Sequence, residues 1–148
     1  MSDVIISGGN FRGYDSVFGI PDRQKDVVMK GAFTRTIKGR MKDIKVLWQH
    51  EFSEPIGILT VIREDSYGLY VEGKLLDKVQ RGREAHALLE AGAVDGLSIG
   101  YTTKASEFDP RSGARIITVV DLWEVRLVTF PANEKALVTS HQSSVICH

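Results

Sequence analysis

Apolar and polar residues alternate along much of this chain, and that period of two predicts more strand than helix. Residues 44–50 read IKVLWQH, with Ile44, Val46 and Trp48 alternating with Lys45, Leu47 and Gln49. His50 falls in phase with Trp48 at the end of that row. Residues 11–19, rich in aromatics, Val and Gly, read as a strand that ends at a turn. Residues 20–25 read as loop, and 26–29 as a short edge strand. Residues 56–64 and 69–76 make a hairpin about the turn 65–68. Residues 51–55 read as loop. Strand signal resumes from Gly96 to about residue 105, and the turn DPRSG at 109–113 joins it to residues 115–130. That last run, rich in Val, Ile, Thr and aromatics, is long enough to bend or break near Asp121. Strict alternation puts Leu122, Glu124, Arg126, Val128 and Phe130 on one face, with Asp121, Trp123, Val125, Leu127 and Thr129 on the other.

The helical period is rarer. Residues 33–39 place Phe33 and Ile37 on one face. In 77–91, Val79, Gly82, Ala85, Leu88 and Leu89 trace an apolar stripe, with Gly92 as a C-terminal cap. His86 belongs to the surface of that helix. Residues 134–138 read as one helical turn, and residues 140–148, with His141 and His148, as a disordered tail. The pattern as a whole is that of an α+β, mainly β domain over residues 1–139.

Composition narrows the function classes. The chain of 148 residues fits one domain with a sizeable core. Nineteen basic residues balance nineteen acidic ones, so no net charge draws the chain to nucleic acid or to an anionic membrane. No apolar run reaches the length of a membrane span, and the first ten residues lack the pattern of a signal peptide. The one cysteine, Cys147, allows no intrachain disulfide and fits a reducing compartment. Scattered histidines support no metal site, and no glycine-rich phosphate loop implies a cofactor.

Three positions carry candidate chemistry. Ser98 lies in the run DGLSIGY, where Gly96 and Gly100 let the backbone pass close to another group. By itself such a serine is a small residue in a tight spot. His50 ends an inward-facing row, where a histidine is most often a satisfied core or rim residue; it is also where a general base could be held rigidly. Glu124 sits among bulky apolar neighbours, where a carboxylate needs a partner. Arg126, two residues on, is one such partner; a histidine across the sheet is the other. A serine, a base and a group that orients the base are the parts of an activated nucleophile, and chain order is no constraint on them.

Further motifs extend this picture: GY at 13–14, SVFG at 16–19, DVV at 26–28, GAF at 31–33, LWQH at 47–50, PIG at 55–57, GLYVEG at 68–73, GLSIGY at 96–101, DLWEV at 121–125 and FPAN at 130–133. In this order the sequence resembles the prohead proteases of tailed bacteriophages over residues 13–139. The resemblance implies a fold similar to the herpesvirus assemblin proteases, a small antiparallel β-barrel-like sheet surrounded by a few helices. It also implies a serine endopeptidase with Ser98 as nucleophile, His50 as general base and Glu124 as third member, Asp121 being the fallback for Glu124. Arg126 and the backbone near Asn133 are candidate oxyanion donors. The implied partners are the major capsid protein or scaffold, cut inside the immature procapsid in the host cytoplasm, and the chain itself by autocleavage. No cofactor and no metal are implied. The oligomeric state stays open, with a dimer as one option.

Overall fold

The computed structural model describes residues 9–49, 51–94, 96–129 and 138–142. In chain order these form β1 (Asn10–Val17), β2 (Asp26–Val28), α1 (Thr34–Gly39), a 3-10 turn (Met41–Asp43), β3 (Lys45–Trp48), β4 (Glu51–Glu64), β5 (Gly68–Leu75), α2 (Gln80–Glu90), β6 (Gly96–Asp109), β7 (Ala114–Val128) and β8 (Val138–Gln142). The strands make one sheet. β7 takes β6 along one edge and both β2 and β3 along the other, and β4, β5, β1 and β8 follow β3 in turn. β1 comes back into contact with β6, so the sheet curls into a half-barrel. The sheet is mixed, because β2 and β3 both run parallel to β7. All its other pairings are antiparallel, as expected.

The curl encloses the core. Val46, Ile56, Leu69, Val71, Leu97, Leu122, Val125 and Leu127 are all fully buried there. α1 seals one end. Phe33 beside it is buried, and the Thr36 hydroxyl accepts from the Leu122 N–H at 3.0 Å. The Glu64 carboxylate accepts from the Gly31 and Phe33 N–H groups at 2.9 and 3.0 Å, satisfying donors that a helix start leaves open. α2 lies on β4 and β5 and buries Gly82, Ala85 and Leu89. It ends as the glycine signal predicts: Gly92 has φ +75° and its N–H donates to the Leu89 carbonyl at 3.1 Å.

Three sequence expectations change. Residues 51–55, read as loop, belong to β4, where register shifts against β3 accommodate Pro55. Val138, read as the end of a helical turn, opens β8, and β8 runs three residues into the stretch read as disordered tail. It pairs with Asn10 to Gly13 of β1, so an edge that would stand open is covered. The third change is the phase of β7. Gly100 pairs with Glu124 and Tyr101 with Leu122, which leaves Trp123 as an extra residue in a β-bulge. One extra residue swaps faces. Leu122 therefore joins Val125 and Leu127 in the core, and Glu124 and Arg126 turn to the other side.

The bulge makes Leu122 a core residue, although strict alternation would set it beside the charged pair. Leu122→Ala should cost about 2–5 kcal/mol in urea denaturation, the usual range for emptying a buried leucine site. A loss under about 1 kcal/mol would place Leu122 outside the core.

Candidate active site

β7 is the strand on which the site is laid out. Its register puts Leu47 of β3, Arg126 of β7 and Ser98 of β6 in one row across the sheet. The next row is Lys45, Glu124 and Gly100. Directly paired residues share a face, so these side chains stand together. They line a cavity of about 1040 Å³ that also takes in Asp15, Asp26, Tyr101, Arg115 and Trp123. Ser98 is 8% exposed, at the wall of this cavity.

Glu124 and Arg126 form an ion pair, Arg126 Nη2 to Glu124 Oε1, at 3.1 Å. It is the pairing that the i, i+2 spacing on one strand face offers. Gly100 is what gives the pair room. A Cβ at Gly100 would stand 2.2 Å from Glu124 Oε1 and 2.7 Å from Arg126 Nη2. The glycine flanking Ser98 is therefore required by the charged pair one row away. Both side chains of the pair are largely buried in the cavity wall, 16% and 11% exposed, where an ion pair is weakened less than in open water.

His50 and Asp95 lie outside the described residues, as do Phe130 and Asn133. The residue before His50 is well anchored. Gln49 takes a left-handed φ of 54° after β3. Its N–H donates to the Leu127 carbonyl at 2.8 Å. Its side-chain amide donates to the Thr129 hydroxyl at 3.0 Å and accepts from the Thr129 N–H at 3.1 Å. β4 resumes with Glu51 paired to Trp48. The chain at position 49 is thus tied to the end of β7, next to Arg126.

Asp121 stands elsewhere. It faces Arg35 at 3.2 Å and Lys104 at 3.7 Å and does not line the cavity. His86 on α2, read as a helix-surface histidine, is half-buried with its ring against Gly9; it pairs with Glu90 at 3.0 Å, away from the cavity. Among the described residues, no group of His, Cys, Asp and Glu side chains is arranged to hold a metal ion.

Sequence reading passed over Asp15. It is 1% exposed, and neither of its carboxyl oxygens has a hydrogen-bond partner. Burial pushes its pKa well above the usual carboxylate range, and the Arg126 guanidinium pulls it partway back. The signal was present: Asp15 shares the phase of Phe11, Gly13 and Val17, the buried face of β1. A bulge between Tyr14 and Ser16 then turns both Asp15 and Ser16 toward the cavity. At the far side of the cavity Arg115 grips Asp26 through two bonds of 3.1 Å. Tyr101, above them, has its pKa pushed up to about 12, first by burial and then by Asp26 and Asp22.

Residues 3–146 match the model of the caudovirus prohead serine protease family. The chain is 31% identical over 137 residues to the prohead protease of Enterobacteria phage HK97, covering 91% of this chain and 61% of that protein. It is 36% identical over 133 residues to the capsid polyprotein of Pseudomonas phage PAJU2, covering 83% of this chain and 19% of that protein. It thus spans less than two thirds of these relatives. Among solved structures, the capsid assembly protease of bacteriophage T4 superposes with a TM-score of 0.67 at 16% identity, over 86% of this chain and 88% of that one. The protease of KSHV, solved with a hexapeptide phosphonate inhibitor, gives a TM-score of 0.60 at 12% identity, over 90% and 64%. These two likenesses show the fold, and it is the herpesvirus-protease-like fold expected from the sequence.

Two outcomes follow from the site's geometry. Gly100→Ala should push Glu124 and Arg126 apart and cost about 1–3 kcal/mol, read by urea denaturation; an unchanged midpoint would mean the pair does not depend on that space. The second concerns pH. An unfolded Asp15 ionises near its ordinary value of about 3.9, whereas the folded one holds its proton to higher pH. The folded state therefore binds the extra proton, and stability falls as pH rises from about 4 toward the folded pKa. Asp15→Asn should flatten that fall in melting temperature measured across pH; a parallel fall in both proteins would assign it to another group.

Proposed function

From the premise that this chain belongs to the caudovirus prohead serine protease family, we propose that it is a serine endopeptidase of phage capsid maturation. Its substrates are the scaffold, or the scaffold-like N-terminal segment of the major capsid protein, and the chain itself. It works inside the immature procapsid in the host cytoplasm. The match to part of a capsid polyprotein supports the capsid protein as partner.

The observation that carries this reading is Ser98 at the wall of the cavity, in one row with Arg126 and one row from Glu124. A serine hydroxyl attacks only when a base takes its proton. In this reading His50 is that base. Gln49 supports the assignment by anchoring the adjoining backbone on Leu127 and Thr129, beside the rows that hold Ser98 and Glu124. Glu124 orients the imidazole and stabilises its charged form. Its place in the cavity favours it over Asp121, which is engaged with Arg35 and Lys104.

The chemistry is acyl transfer. Ser98 Oγ bonds to the scissile carbonyl carbon as its proton passes to His50. The tetrahedral oxyanion is held by N–H donors, with Arg126 and the backbone near Asn133 as candidates. Collapse breaks the C–N bond, and His50 returns its proton to the leaving amine. Water, deprotonated in turn by His50, then releases the acyl group from Ser98.

Co-expression with the neighbouring capsid protein, read by intact mass, tests this. Cleavage should occur with the native chain and vanish in both Ser98→Ala and His50→Ala, a drop of several orders of magnitude as in other triads. Persistent cleavage in Ser98→Ala would remove the nucleophile assignment. A folded native chain that assembles with its partner and cuts nothing would be an inactive assembly protein.

A further inference from the structure

A buried carboxyl with neither oxygen bonded is costly, because it has given up water without gaining a donor. Asp15 is such a group, and it sits inside the cavity that holds Ser98. The charged group that faces it is Arg126 of β7, with Glu124 beyond, on the far side of the guanidinium's ion pair. Lys45 of β3 stands in the Glu124 row. β6 presents Leu97, Ser98 and Ile99 to the cavity, none of them charged. On β5 the residues paired either side of Asp15 are Leu69 and Tyr70, and Tyr70 has its pKa pushed up to about 12. β8 pairs with β1 only as far as Gly13.

Arg126 thus shares this cavity with two carboxyl groups, and in this conformation it is bonded to Glu124. We propose that Asp15 is a positioning residue, a second seat for Arg126, and that moving Arg126 from Glu124 to Asp15 releases Glu124 to orient the base. This rests on the Ser98, His50 and Glu124 assignment above. A carboxylate neutralised by Arg126 is a weaker acceptor for an imidazolium than a free one. Seating Arg126 on an ionised Asp15 serves both groups: it gives the buried oxygens their missing donors and returns the negative charge of Glu124 to the triad. The bulge at Asp15 and the bulge at Trp123 are backbone irregularities on the two strands that turn these carboxyls into the one cavity that Arg126 also lines.

The test follows the rate at which a fluorophosphonate probe labels Ser98 in the full chain, from pH 5 to 9 or so, beside the melting temperature. In the native chain the rate should rise with two ionisations, that of His50 and that of Asp15. Asp15→Asn should keep the rise that belongs to His50 and lose the other. At the alkaline end it should then label about tenfold more slowly, within the coupling range of residues in one network. In an Arg126→Gln background, where Glu124 holds no guanidinium, adding Asp15→Asn should change the rate less than about twofold. Superposable pH profiles for the native chain and Asp15→Asn would overturn the inference. So would an equal slowing at every pH that tracks a lowered melting temperature. If Arg126→Gln does not fold, the two pH profiles decide. Labelling that survives in Ser98→Ala would instead overturn the nucleophile assignment and the inference with it, whereas Ser98-dependent labelling indifferent to Asp15 overturns the inference alone.

Discussion

The ion pair between Glu124 and Arg126 is the constraint to which the rest of the site answers. Two charges at the wall of a protected cavity are tolerable only when paired, and removing one partner of such a pair typically costs about 3–5 kcal/mol. The pair dictates its surroundings. Gly100 opposite Glu124 must lack a side chain. Trp123 must be squeezed out as a bulge so that the pair faces the cavity while Leu122, Val125 and Leu127 keep the core closed. Trp123 itself stays half in solvent, where its indole N–H donates to Thr102 at 2.8 Å and Arg40 stacks on its ring. A tryptophan can occupy such a place because it brings a polar handle and a face for a cation.

Most of the elements are legible in local pattern. The alternation of Ile44, Val46 and Trp48 gave the buried face of β3, and the stripe through Gly82, Ala85 and Leu89 gave the face of α2. The pairing of Arg126 with Glu124 was readable from their spacing. What escaped was what depends on phase and on partners far along the chain. An inserted residue reverses every face beyond it, and nothing in DLWEV announces which residue is the extra one. β8 escaped because a short polar strand is held by its partner, β1, and shows no hydrophobic signal of its own. Asp15 was visible by phase yet easily dismissed, since an aspartate in a strand is ordinarily read as exposed.

The two parallel pairings on β7 explain how distant segments become neighbours. A parallel pair needs a crossover, and here the chain between β3 and β7 supplies β4, β5, α2 and β6 before it returns. That circuit is also what brings β1 against β6. The cavity therefore has walls from the beginning, the middle and the last third of the described chain, and it exists only once the sheet has curled. Family membership agrees with this economy. The structural relatives keep the curl at 16% and 12% identity. At such identities what the chains share is the topology.

Ser98 is registered against β7 at Arg126, Glu124 and Arg126 sit on β7, and Gln49 is tied to Leu127 and Thr129. One strand thus serves as a common ruler for groups drawn from three parts of the chain. The far end of the same strand, beyond the Trp123 bulge, runs out to an exposed hairpin tip where Phe108 is 68% accessible and the turn is closed by Asp109 and Gly113. Chain inserted at that tip lengthens the ruler at the end that carries no marks. A change of length at the hairpin tip, beyond Arg115, therefore leaves the distances in the cavity unaltered, whereas a single residue gained or lost between Trp123 and Leu127 would misalign Ser98, Glu124, Arg126 and Gln49 at once.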